Sequence, residues 1–161
     1  MKPLKDYIVP LMEASKPRVV DNTYDPVSRS PKKPVTLNPY NTFIIIKPGF
    51  TKQRKEIISR FTDAGYTISR SLARRLSLKD AQDIYSVHKD EDFYDNLCKY
   101  MSGGLSIGLV LQCPDSDFIN KTKKLKDEIR AEFGKDDMRN ALHSSDSEEN
   151  VYRESEIYFK P

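Results

Sequence analysis

Tryptophan is absent from this chain of 161 residues, and cysteine and histidine occur twice each. Cys98 and Cys113 cannot build a disulfide framework, and with only His88 and His143 beside them no zinc-ligand spacing arises. No stretch approaches the roughly 18 consecutive apolar residues that a membrane helix needs; the best runs are 43–46 and 105–111. The opening residues, Met1-Lys-Pro-Leu-Lys-Asp, lack the apolar centre and the small-residue cleavage site of a secretory signal. The expectation is a soluble, cytoplasmic protein with no membrane partner.

Glycine is missing from the first forty residues, yet seven of the ten prolines fall there. The same segment holds seven Lys/Arg against four Asp/Glu, which accounts for the whole net charge of +3. So weak a basic charge, with no arginine–aromatic interleaving, makes no case for nucleic acid. The chain therefore divides into an extended, proline-rich tail, 1–40, and one domain, 41–161. Within the tail, Leu4, Tyr7, Ile8, Leu11 and Met12 fall on one helical face, although Pro10 interrupts it. That face either packs back on the domain or docks on a partner.

The domain reads as α+β. Residues 42–46 form a buried strand by length and β-branching, and 53–64 a helix with Ile57, Ile58, Phe61 and Ala64 inward, stopped by Gly65. A strand over 66–75 is expected to turn Ile68 and Leu72 the same way. Ser77 is an N-cap for a helix running to about His88; 91–102 is another, with Phe93, Leu97 and Met101 on one face, ended by Gly103-Gly104. Leu105, Ile107, Leu109 and Leu111 alternate as a core strand, and Ile157 and Phe159 as a short last one. The order is βαββαβ, a ferredoxin-like motif with an antiparallel four-stranded sheet covered by helices. Many functions share such a scaffold, so chemistry has to be sought in side chains.

His143 is the sharpest candidate. Imidazole is a neutral nucleophile near pH 7 and can hold a phosphoryl group transiently. It precedes Ser145, Asp146, Ser147 and Glu148, which read as a helix start. A lone histidine in that position also serves structure alone. Lys47, Arg130 and Arg139 are the cations that a phosphoryl-transfer site needs around such a nucleophile, if they converge. Cys98 reads as a small buried hydrophobe, and His88 as an exposed helix-end residue.

Several segments together resemble a nucleoside diphosphate kinase: Phe43-Ile-Ile-Ile-Lys-Pro, Tyr85, the run from Phe93 to Gly104, Ile129-Arg-Ala-Glu-Phe-Gly, and Arg139-Asn-Ala-Leu-His-Ser-Ser-Asp-Ser-Glu. The resemblance covers about 42–161, without a gap from Arg130 to Phe159, and its wording is nearest the flagellar and ciliary branch of that family. It implies a ping-pong transfer of a γ-phosphoryl group from a nucleoside triphosphate to a diphosphate through phosphohistidine 143. Glu154 would orient the imidazole through the nitrogen that does not attack, and Ser145 would lie beside it. Lys47 and Asn140 would contact sugar and phosphates, Tyr85 would assist near the transferred group, and Arg130 would bind phosphate. Phe93 would stack under the base with Leu97 behind it. Mg2+ would be held by the nucleotide phosphates rather than by protein ligands.

The resemblance breaks in places. His143 is followed by Ser144 where the family has glycine, and Asp137 stands where it has an apolar residue against the base. About eight residues are lost between Gln112 and Arg130 from the loop that covers the phosphates and packs subunits, which makes a hexamer doubtful. Lys121 is the best counterpart of a phosphate arginine in that loop. The lysine run 120–126 reads either as a substitute phosphate clamp or as a solvated helix face. A second reading of the chain is a weakly active or non-catalytic component, docked through its tail on a cytoskeletal or axonemal microtubule assembly in a cilium or flagellum.

Overall fold

Two three-residue strands, β1 (Arg18–Val20) and β2 (Val35–Leu37), pair antiparallel through their backbones. Beyond these two stretches the structure, a computed structural model, describes residues 40–161. The helical face anticipated from Leu4 to Met12 lies outside the described residues.

Four further strands form the main sheet: β3 (Tyr40–Ile46), β4 (Thr67–Arg74), β5 (Ser106–Cys113) and β6 (Leu142–Ser144). They run in the order β4-β5-β3-β6, every neighbouring pair antiparallel. β3 and β5 are central, and their nearly continuous burial follows from helices covering both faces. Ile44 and Ile46 point toward α1 (Arg54–Asp63), whose Ile57 and Phe61 are buried, and toward Phe118 and Ile129 of a later helix. Phe43 and Ile45 point the other way, to α2 (Leu78–Ile84) and α3 (Tyr94–Ser102). The chain is completed by α4 (Phe118–Phe133) on the first face and α5 (Glu148–Phe159) on the second. Among the described residues no helix is long and apolar enough to cross a membrane.

The antiparallel α+β architecture agrees with the sequence reading, but its last strand is elsewhere. Residues 157–159 are the end of α5 rather than a strand. Val151, Ser155, Tyr158 and Phe159 are buried at helical spacing, a longer pattern than the two-residue alternation of Ile157 and Phe159. The fourth strand is instead the short segment holding His143. A second difference comes from a bulge in β4: Ile68 pairs with Leu111 and Arg70 with Val110, so residue 69 is unpaired. The extra residue reverses the alternation, and Leu72, opposite Gly108, packs on the α2–α3–α5 face while Ile68 turns to the other side, 46 % exposed. Ser77 caps α2 as anticipated, its Oγ accepting from Asp80 N–H, but α2 stops at Ile84 and a 3₁₀ turn, Ser86–His88, follows. α3 starts at Tyr94, later than its apolar spacing suggested, leaving Phe93 on its N-terminal shoulder.

Gly108 is where α5 meets the sheet. A Cβ there would stand 2.4 Å from the ring of Tyr158, so only glycine lets that ring lie flat on β5.

Candidate phosphoryl-transfer site

β6 is short because the chain enters it under strain and leaves it into a helix cap. Ala141, fully buried, has φ +79°, and Leu142 N–H donates to Asn140 C=O across it, the geometry of a tight γ-turn. The turn holds because Ala141 C=O accepts from Lys47 N–H at 2.9 Å. On the far side Ser145 N–H donates to Phe43 C=O, and Ser147 Oγ caps α5 by accepting from Asn150 N–H. His143 is thus clamped to the central strand on both sides.

α5 rises from that cap so that Glu154 returns to the histidine eleven positions earlier. His143 Nε2 lies 3.0 Å from Glu154 Oε1, while Ser145 Oγ donates to Oε2. Ionised carboxylate oxygens only accept, so the imidazole carries its proton on Nε2 and presents the lone pair of Nδ1. The imidazole is 13 % exposed and meets the Tyr85 ring edge-on, with centroids 5.0 Å apart.

The histidine opens into a cleft of about 800 Å3. Lys47, Tyr85, Phe93, Leu97, Arg130, Asn140, Ser145 and Glu154 line it with His143, so these anticipated residues are brought together. Lys121 is not: its ammonium donates to Ala64 C=O at 2.9 Å and sits over the Tyr66 ring on the other side of α4. Of the lysine run 120–126, which reads either as a phosphate clamp or as a solvated face, Lys123 and Lys126 line the cleft, and so does Asp146, which reads only as part of a helix start. Sequence reading also took His88 for an exposed helix end, whereas His88 is half-buried in the cleft wall, 5.4 Å from the Phe93 ring. The signal for the lysines was present: Ile119, Lys123, Lys126 and Arg130 follow i, i+4, i+7, i+11, one stripe of a helix.

Charge in the cleft is predominantly positive and partly desolvated. Lys47 is 3 % exposed, and its ammonium donates to Met138 C=O at 3.2 Å. Burial, then the neighbouring Arg130 and Lys126, push its pKa down to about 7. Arg130 Nε donates to Leu142 C=O at 2.9 Å, which aims the rest of the guanidinium from the back of β6. Burial holds Tyr85 well above the usual phenol range, so it stays protonated. Among the described residues its hydroxyl has no hydrogen-bond partner although buried, and neither has Asn140 Oδ1. Two such atoms in one cationic cleft suit a polar, anionic ligand. For a divalent ion the described residues offer no group of three metal-ligating side chains; the carboxylates that line the cleft besides Glu154 are Asp137 and Asp146. That donor set fits an ion held mainly by phosphate oxygens and water.

Comparison with known proteins points the same way. The model of the family described as nucleoside diphosphate kinase matches residues 40–161. The chain is 33 % identical to the nucleoside diphosphate kinase of Fervidobacterium nodosum over 130 residues, 74 % of this chain and 88 % of that protein. It is 36 % identical to nucleoside diphosphate kinase 1 of Protochlamydia amoebophila over 132 residues, covering 74 % of this chain and 92 % of the other. Among solved structures, it superposes on the Aquifex aeolicus nucleoside diphosphate kinase with a TM-score of 0.68 and 30 % identity, over 74 % of this chain and 94 % of that one.

Proposed function

The chain belongs to the nucleoside diphosphate kinase family, and from that premise we propose how its own residues carry out the transfer. The enzyme is a nucleoside diphosphate kinase, a phosphotransferase that moves the γ-phosphoryl group of a nucleoside triphosphate to a nucleoside diphosphate. His143 is the group that carries the phosphoryl. The lone pair of Nδ1 attacks the γ-phosphorus, the bond to the β-phosphate oxygen breaks, and the diphosphate leaves with that electron pair. A second diphosphate reverses the step, drawing the phosphoryl from Nδ1 onto its terminal oxygen. The observation that carries this reading is the 3.0 Å contact of Nε2 with Glu154, because it commits the other nitrogen to attack.

The remaining roles follow from chemistry and position. Glu154 offsets the positive charge that the ring gains on phosphorylation, and Ser145 keeps the carboxylate in register. Lys47 and Arg130 neutralise charge on the transferred oxygens, and Asn140 and the Tyr85 hydroxyl accept or donate at the sugar and phosphates. Phe93, 44 % exposed at the rim, stacks on the base with Leu97 beneath, a contact indifferent to which base is present. Mg2+, held by nucleotide phosphate oxygens, supplies further charge neutralisation when bound.

Incubating the protein with γ-labelled ATP should leave acid-labile, alkali-stable phosphate on His143, and none on His143→Gln. An unlabelled wild type would sink the proposal.

We also propose a place for the enzyme. The basic, proline-rich tail suits attachment to an acidic surface such as a microtubule, so the enzyme would act in the cytoplasm and on ciliary or flagellar cytoskeleton. The short β5–α4 connection, four residues from 114 to 117, supports the idea of a trimmed covering loop and a monomer or dimer in place of a hexamer. Co-sedimentation with microtubules, with and without residues 1–40, tests the first point; equal pelleting of both forms would dismiss it. Sedimentation equilibrium tests the second, and a hexameric mass would overturn it. Relatives named as kinases support catalysis rather than a non-catalytic docked component.

A further inference from the structure

β5 ends at Cys113 and α4 begins at Phe118, so one wall of the cleft is the side of α4 itself. On that wall Lys126 is one turn before Arg130 and is half-buried. Its neighbours in the lysine run are otherwise engaged: Lys121 is turned away to Ala64, and Lys123 faces Asp127 at 3.7 Å. Lys126 makes no salt bridge within 4 Å among the described residues, and Asp127 and Asp146 only partly offset the charge around it. It borders Arg130 and Lys47, and burial together with the Arg130 charge lowers its pKa. Three cations held in mutual repulsion, beside the unpartnered Tyr85 hydroxyl and Asn140 Oδ1, make a cleft that is incomplete without an anion.

We propose that Lys126 is a phosphate-binding residue of this enzyme, its ammonium joining Lys47 and Arg130 on the phosphate chain of the bound nucleotide. The proposal rests on the kinase reading of the cleft and adds a residue to it. α4 fixes the Cα of Lys126, so binding orders only the side chain. An ammonium is a point charge and can follow the phosphates as the terminal group moves from nucleotide to histidine.

The test uses the full chain and calorimetric titration with ADP, inorganic pyrophosphate and adenosine. Lys126→Met should weaken ADP and pyrophosphate about ten- to a hundredfold, the scale of a charge-assisted hydrogen bond, and leave adenosine unchanged. Lys126→Arg should restore most of the affinity, and the dependence of ADP binding on salt should be shallower in Lys126→Met than in wild type. Lys124→Met, on the exposed side of α4, should match wild type. ADP affinity unaltered by Lys126→Met, in a protein whose His143 still labels from ATP, overturns this proposal alone. A wild type that neither labels nor binds ADP overturns it together with the kinase reading.

Discussion

His143 stands opposite Ile45 across the β3–β6 ladder, and Ile45 belongs to the apolar cluster on the α2–α3–α5 face. Cross-strand partners share a face, and Lys47 is two residues beyond Ile45, so histidine and lysine emerge on the same side of the sheet. One strand pair therefore sets both the proposed nucleophile and the lysine that shares its cleft.

Glu154→Gln keeps the size of the side chain but removes its charge and its acceptor-only character. The imidazole then loses both its imposed tautomer and the partner for its phosphorylated, cationic form. Turnover should fall about ten- to a hundredfold, the usual worth of a carboxylate that orients a working imidazole, while ADP affinity stays within twofold. Stopped-flow phosphorylation of His143 separates the two quantities, and a parallel loss of ADP affinity would show the carboxylate acting on the nucleotide instead.

Lys47 gives a pH signature. With its pKa pushed down to about 7 by burial and by Arg130 and Lys126, against the weaker pull of Asp136, it is largely neutral at pH 8 in the free enzyme. A bound phosphate favours the ammonium, so ADP binding at pH 8 should take up a proton and tighten as pH falls toward 7. Calorimetry in buffers of different ionisation enthalpy measures that uptake, which Lys47→Met should abolish. For stability the sign is opposite to that of a salt-bridged lysine. The unfolded chain binds the proton up to a pKa near 10.5 and the folded one only to about 7, so this group makes stability rise with pH between those values. Lys47→Met should accordingly unfold at a higher temperature than wild type at pH 6.

Gly108→Ala forces a methyl group into the ring of Tyr158. Tyr158 is fully buried and its hydroxyl also bonds Ser106 Oγ and Leu72 C=O, so it has little room to withdraw. A loss of about 1–3 kcal/mol is expected from overpacking, read as a lowered urea midpoint with an unchanged slope. Labelling of His143 in the folded fraction should persist.

Ser147→Ala removes the oxygen that accepts Asn150 N–H at the start of α5. Helix caps of this kind are worth about 1 kcal/mol. Since α5 carries Glu154, fraying should also slow phosphorylation of His143, and Ser147→Asp should recover both stability and rate. Slow phosphorylation with full stability would point to a role for Ser147 beyond the cap.

The helices α1 and α3, the strands β3 and β5, the cap at Ser77 and a helix start within 145–148 were legible in the chain because each is written locally: apolar spacing along ten residues, or short oxygen-bearing side chains before a helix. The antiparallel sheet followed from their order. β6 escaped because its three residues are too few to show a period, and its pairing with β3 depends on a strained turn at Ala141 stabilised by Lys47. The bulge at residue 69 escaped for a related reason, since one inserted residue leaves no trace in composition yet reverses the facing of Ile68 and Leu72.

By itself the sequence determined the residue types of the site and most of the elements that hold them, since both rest on neighbours within a turn or two. Only the tertiary structure decided which lysines of the 120–126 run share a cleft with His143. That choice depends on the rotation of α4 against the sheet, which Phe118 and Ile129 set by burying themselves on the far side of β3. Tertiary structure likewise decided that Lys47 would be a buried amine that loses its proton near pH 7 rather than a solvated ammonium. Burial and the approach of two other cations are properties of the folded cleft, and no stretch of chain around residue 47 contains them.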